Sequence, residues 1–116
     1  MLHGSGTVFS ITTDGSEKIV HSFSRNDGRG AAAALRNVRG VLYGTTPAGG
    51  INNLGSVFRL TKSGEETVLH SFAKGEGVDP LAGVIAVNGT LYGTTYGEAP
   101  GGLPKRSFGN VFSLTP

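Results

Sequence analysis

The chain repeats itself at a fixed spacing. Gly6-Thr7-Val8-Phe9-Ser10-Ile11-Thr12 returns 49 residues later as Gly55-Ser56-Val57-Phe58-Arg59-Leu60-Thr61. His21-Ser22-Phe23 returns as His70-Ser71-Phe72 at the same offset, and Leu42-Tyr43-Gly44-Thr45-Thr46 as Leu91-Tyr92-Gly93-Thr94-Thr95. The first block appears a third time as Gly109-Asn110-Val111-Phe112-Ser113-Leu114-Thr115, now at an offset of 54. A repeat of this length buries its apolar faces against its neighbours in the array. The 116 residues therefore form one repeat module, with units over 6–54 and 55–108 and a partial third over 109–116.

Each unit holds four short apolar runs separated by turn chemistry. Phe9 and Ile11 alternate with Val8 and Ser10 over Val8–Thr12, the period-two signature of a strand. Asp14-Gly15 supplies a hairpin turn, because glycine takes the positive φ that such turns need, and Lys18–Phe23 returns as the second strand. Ser63-Gly64 and Thr67–Phe72 repeat that pair. Leu81–Val87 reads as a strand opened by Asp79-Pro80 and closed by Asn88-Gly89, with Thr90–Thr95 running back from the turn. Its counterpart is Ala31–Val38, closed by Arg39-Gly40. The four alanines there admit a helix, and the matched Leu81–Val87 run favours a strand.

The predicted fold is all-β, built from antiparallel four-stranded blades of β-propeller type. The order within a blade is Leu81-type, Leu91-type, Val57-type and Val68-type strand, which makes about two blades plus one strand. The Ala and Gly of the first strand suit a position crowded against a central axis. A propeller closes with roughly four to eight blades, so the ring is incomplete in one chain. The chain is then a piece of a longer protein, a subunit of a ring, or an open stack. Uncovered strand edges and blade faces predict self-association, with Val111–Thr115 as the surplus strand to exchange across the contact.

Composition excludes several function classes. Ten basic against eight acidic residues give a net charge of +2 with no basic stripe, so no nucleic-acid partner is expected. No apolar run reaches the length of a membrane span, and Met1–Ser5 lacks the basic and apolar regions of a secretory signal. The absence of cysteine excludes disulfides, thiolate metal sites and cysteine nucleophiles. No cofactor and no metal are expected.

The assembled blocks resemble the bacterial GloVer tandem repeat, whose recurring text is close to "LYGTT…GTVF.IT..G…VLHSF". Here it reads Leu91–Thr95, Gly55–Thr61 and Val68–Phe72, and the likeness covers essentially the whole chain. The resemblance implies a β-propeller-like repeat on surface-exposed or exported proteins, with no assigned activity and no functional residues to carry over. The strands also look like quinoprotein-type repeats, with His21 and His70 where those tend to place tryptophan. In the family the repeats usually number many more.

Candidate site residues are few. His21 and His70 invite a metal or proton-transfer role. Each is expected to share a strand face with Ile19 and Phe23, or with Val68 and Phe72, and so to pack. Tyr43 and Tyr92 are read as aromatics between blades rather than stacking platforms. Asn26-Asp27-Gly28 and Asp79-Pro80 are read as turns rather than calcium ligands. No nucleophile, base and orienting group stand together, so the module is expected to be non-enzymatic. The loops Ser24–Gly30, Pro47–Leu54, Ala73–Asp79 and Tyr96–Ser107 should share one face, and any glycan or protein ligand should bind there. Its expected contacts are Asn52, Asn53, Tyr96, Lys105 and Arg106, with Asp27 and Asp79. The alternative is a fragment of a carbohydrate-active or lyase-type propeller enzyme with its site on that face. Two or more carboxylates, or a histidine with a carboxylate, converging in one pocket would favour it, whereas a flat or aromatic loop face would favour lectin-like binding.

Overall fold

A computed structural model describes residues 4–73, 77, 79–97 and 109–116. Its strands are β1 (Thr7–Ile11), β2 (Glu17–Ser22), β3 (Arg36–Val38), β4 (Val41–Thr46), β5 (Ser56–Leu60), β6 (Glu66–Ser71), β7 (Ile85–Val87), β8 (Thr90–Thr94) and β9 (Val111–Leu114). They form three antiparallel sheets in simple chain order: β1-β2, then β3-β4-β5-β6, then β7-β8-β9. No helix occurs among the described residues. The four-stranded unit runs in the order that the repeat predicts, and the sheets on either side are truncated versions of it.

The hairpins follow from their turn residues. Arg39 and Gly40 both have positive φ (53° and 89°), as do Asn88 and Gly89 (50° and 85°). Two positive-φ residues make the type I′ connection that matches the strand twist. The β1-β2 turn is wider. Thr12 and Ser16 pair through the backbone, and Gly15 N–H donates to Thr12 O at 2.9 Å. The Thr12 hydroxyl donates to the Asp14 carboxylate, which together with the Ser16 N–H holds that carboxyl below its ordinary range.

Two expectations need correction. The first strand of each unit is short: Ala31–Leu35 and Leu81–Val84 lie outside any sheet, and only Arg36–Val38 and Ile85–Val87 pair. These segments are drawn toward each other rather than to their own sheets. The Ala34 carbonyl lies 2.6 Å from where a Cβ on Gly83 would stand, and the Thr45 hydroxyl donates to Ala82 O at 2.9 Å. The second correction concerns the strand faces. Val8 pairs with His21 while Phe9 pairs with Ile19, so an extra residue at Val20 interrupts the alternation. Such a bulge shifts the faces by one residue. His21 and Ile19 therefore lie on opposite faces, and the same shift between Val57 and Phe58 separates His70 from Val68.

The core divides into two clusters, one at each sheet–sheet junction. Val8 and Phe23 of the first repeat pack on Phe58 and Leu60 of the second sheet. Tyr43, Val57 and Phe72 pack on Val84 and Leu91 of the third, with Phe112 and Leu114 alongside.

Arg39 holds a left-handed conformation where the second repeat has Asn88, and asparagine tolerates that region better than arginine. Arg39→Asn should therefore stabilise the fold by about 0.5–1 kcal/mol, read as a higher midpoint in urea with an unchanged slope.

Candidate functional site

Each junction is built around one aromatic arrangement. His21 meets Phe23 edge-on at 4.8 Å, and Phe23 meets Phe58 edge-on at 5.1 Å. The second junction repeats this with His70, Phe72 and Phe112 at 5.2 and 5.3 Å. The histidines do pack, as expected from the sequence. Beneath each receiving phenylalanine the neighbouring strand carries glycine. A Cβ on Gly44 would stand 2.6 Å from the Phe58 ring, and one on Gly93 would stand 2.5 Å from Phe112. The glycine of Leu-Tyr-Gly-Thr is thus the floor on which the ring lies.

A polar cluster flanks the first stack. His21 Nε2 lies 3.1 Å from Asp27 Oδ2, and Asp27 Oδ1 accepts the Ser24 N–H at 2.8 Å. Glu66 comes from the following repeat. It is paired with Leu60 across β5 and β6, so it lies on the face covered by the first sheet. One ligand-type atom from each of His21, Asp27 and Glu66 falls within 4.8 Å of the others. All three side chains are half-buried. Glu66 Oε2 is shielded from solvent and accepts no hydrogen bond among the described residues. Burial, and then the negative Asp27 nearby, push the Glu66 carboxyl up to about 7. Such a set can hold a proton between carboxylates or offer oxygen and imidazole ligands to a cation.

The residues expected to bind a ligand do not come together as one site. Asn52 Nδ2 donates to Phe72 O at 3.1 Å, and Asn53, at φ 59°, accepts the Gly49 N–H at 3.0 Å on its Oδ1. Both asparagines brace loop backbone. Asp27 belongs to the histidine cluster, while Asp79 sits in the left-handed region and links its neighbours. Its N–H donates to Leu54 O at 3.3 Å, and its carbonyl accepts the Tyr96 N–H at 3.1 Å. Tyr96 is exposed beside it. Lys105 and Arg106 lie outside the described residues. The first two loops meet: Arg29 pairs with Ala48, and Gly50 N–H reaches Arg25 O at 2.9 Å, while most of 74–78 and 98–107 lies outside the described residues. The Thr-Thr pairs close strand ends, Thr46 with the Ser56 hydroxyl at 2.7 Å and Thr95 with the Asn110 N–H at 2.9 Å. Tyr43 is buried at the second junction as expected, whereas Tyr92 is partly open to solvent.

Residues 2–116 match the profile of the Gloeobacter/Verrucomicrobia repeat, nearly the whole chain. The chain belongs to this repeat family. Among curated proteins and solved structures, nothing matches it. Membership accounts for the recurring Leu-Tyr-Gly-Thr-Thr and Gly-x-Val-Phe blocks. The convergence of Glu66 with His21 and Asp27 lay beyond the sequence reading. The visible signal was that glutamate recurs at 17 and 66, one period apart.

The raised Glu66 carboxyl makes the fold pH-sensitive. A native value of about 7 against an ordinary 4.5 means that the unfolded chain loses this proton first. The associated stability is full below about pH 4.5 and is lost as pH rises through 7. With a chelator present, Glu66→Gln should stabilise the fold at pH 8 and have little effect at pH 4.5. Because the side chain is half-exposed, solvent screening leaves about 1 kcal/mol. Equal effects at the two pH values would contradict this assignment.

Proposed function

We propose that the chain is a non-enzymatic structural and binding repeat module whose copies join head to tail, completing a propeller-like ring or an extended stack. One observation carries this proposal: the exposure of Phe9. Its counterparts Phe58 and Phe112 each lie on the glycine of a Leu-Tyr-Gly-Thr strand and against the phenylalanine of the preceding sheet. Phe9 and Ile11 are 57% and 59% exposed, whereas Phe58 and Leu60 are at 0%. The far end is open in the matching way. Val111 is 77% exposed where Val57 is at 0%, and Tyr92 is at 39% where Tyr43 is at 9%.

The two ends are complementary halves of the junction already present inside the chain. β1-β2 lacks the inner strands that β3-β4 provide for β5-β6. β8 pairs with β9, which carries the same sequence pattern as β1 but has no following strand. When β1 of a second copy takes the place of β9, Phe9 falls on Gly93 and against Phe72, and the sheet reaches four strands. Each copy then contributes two whole sheets, and about two to four copies supply a closed ring.

Exchange leaves the number of backbone bonds nearly unchanged, so the gain comes from burial. Half-exposed Phe9, Ile11 and Ile19 contribute about 1 kcal/mol each, partly offset by releasing Phe112 and Leu114. Against the cost of association this favours a modest, concentration-dependent assembly. The loop end then forms a continuous binding face for a glycan or protein ligand, with the exposed Tyr96 ring beside Asp79. A surface or extracellular location fits such a role. Among the described residues no helix is long and apolar enough to cross a membrane.

One feature favours a second reading. His21 with two carboxylates is the constellation that a carbohydrate-active or lyase-type site would use. Turnover of a glycan or polyuronide that disappears in His21→Ala would support the enzyme.

Light scattering at micromolar concentration should show oligomers whose mass grows with concentration, and Phe9→Asp should return the protein to a monomer. Removing residues 109–116 takes away the competitor for β8 and should tighten the assembly by about tenfold or more, as relief from an intramolecular rival does. A wild-type chain that stays monomeric, together with a truncated chain that does the same, refutes the proposal.

A further inference from the structure

The polar cluster at the first junction has a role that assembly does not require. We infer that His21, Asp27 and Glu66 form a divalent-cation site of the zinc or manganese class, locking the first repeat onto the second. The donors are one imidazole nitrogen and two carboxylate oxygens, a mixed set that suits a borderline ion rather than calcium or magnesium alone.

Geometry supports the assignment. An ion held at about 2.0–2.2 Å from its ligands places neighbouring donors roughly 3–3.5 Å apart. His21 Nε2 and Asp27 Oδ2 already stand at 3.1 Å, and the third ligand atom lies within 4.8 Å of both. An ion bound by the histidine and the aspartate would draw the Glu66 carboxylate inward to complete the set. The Ser24 N–H on Asp27 Oδ1 orients the carboxylate from behind and leaves Oδ2 facing the histidine, as an outer hydrogen bond does in metal sites.

Two further observations point to a cation. Glu66 Oε2 is shielded from solvent with no hydrogen-bond donor among the described residues, and it stands beside another carboxylate. A buried acceptor left unsatisfied is costly, and a positive ion supplies what no side chain there does. The donor types also recur at the repeat spacing. His21 and Asp27 have counterparts in His70 and Glu76 one period on, whereas Glu66 has its counterpart in Glu17 one period back, so each position keeps its donor type without the three counterparts forming a second set. The site joins elements of two repeats, so an occupied site fixes their relative placement and opposes opening of the Phe23–Phe58 stack.

The test is zinc binding to the metal-free full chain, measured by calorimetry and by thermal melting, with calcium as the comparison ion. Wild type should bind zinc saturably at micromolar concentration and melt at higher temperature with it. His21→Ala and the nearly isosteric Glu66→Gln should each bind one ion fewer per chain and lose the zinc-induced shift in melting. Asp14→Asn, a change in an exposed turn, should bind as wild type does. Circular dichroism of each metal-free variant establishes that it is folded. Failure of wild type to bind zinc overturns the inference. So does a folded Glu66→Gln that binds as many ions as wild type, or stabilisation by calcium without any by zinc.

Discussion

A phenylalanine lying edge-on to its predecessor and flat on a glycine is the contact on which the rest of this structure depends. It occurs as Phe23–Phe58 over Gly44 and as Phe72–Phe112 over Gly93. Each pair adds about 0.5–1.5 kcal/mol beyond the burial of its rings, and the glycine lets the ring approach the backbone closely. Placing any side chain at Gly44 or Gly93 would lift the ring and open the space beneath it. The pairing of that glycine with that phenylalanine, rather than the number of residues between them, is therefore the structural requirement. The loop between them, Pro47–Leu54 in the first repeat, absorbs the variation in length.

The bulge in β1-β2 and in β5-β6 is the companion device. By shifting the alternation it puts Phe9 and Ile19 on one face and His21 and Phe23 on the other. Each hairpin can thus present a receiving face to the sheet before it and an inserting face to the sheet after it. A strictly alternating hairpin would place His21 beside Ile19 and leave the inserting face without its ring. Two-faced hairpins of this kind build a polar chain of sheets with distinct ends, which is why the exposed residues at the two ends of this molecule are complementary rather than alike.

Much of this was legible in the sequence because it is local or periodic. Asn88-Gly89 announces its hairpin, Phe9 and Ile11 announce their face, and the offset of 49 places Phe58 and Leu60 in the same roles. What was not legible depends on contacts between repeats. Ala31–Leu35 carries a strand-like counterpart in the second unit, yet Ala34 lies close to Gly83 and neither segment pairs in its own sheet. Glu66 stands beside the Ser63-Gly64 turn in the sequence, and only the stacking of one sheet on the next brings it to His21 and Asp27. Asn52 and Asn53 sit in a loop without a repeat partner, where sequence favours a ligand-binding role, and their amides brace the backbone that holds the loop's shape. The period marks Glu17 and Glu66 as equivalent positions, but spacing alone does not say which residues of a neighbouring sheet they meet.

The central claim is that β1 of one copy belongs on β8 of another, and covalent trapping tests it most directly. Tyr92 faces Ser113 in the present pairing, and Ser10 occupies the same repeat position as Ser113, so exchange sets Ser10 opposite Tyr92. The chain has no cysteine of its own, so a Ser10→Cys/Tyr92→Cys variant offers two unambiguous thiols. Under mild oxidation or with a short thiol-reactive bridge, it should form covalent dimers and higher oligomers that neither single variant forms. A double variant that remains folded and monomeric after cross-linking, at concentrations where the wild type is assembled, would contradict the account.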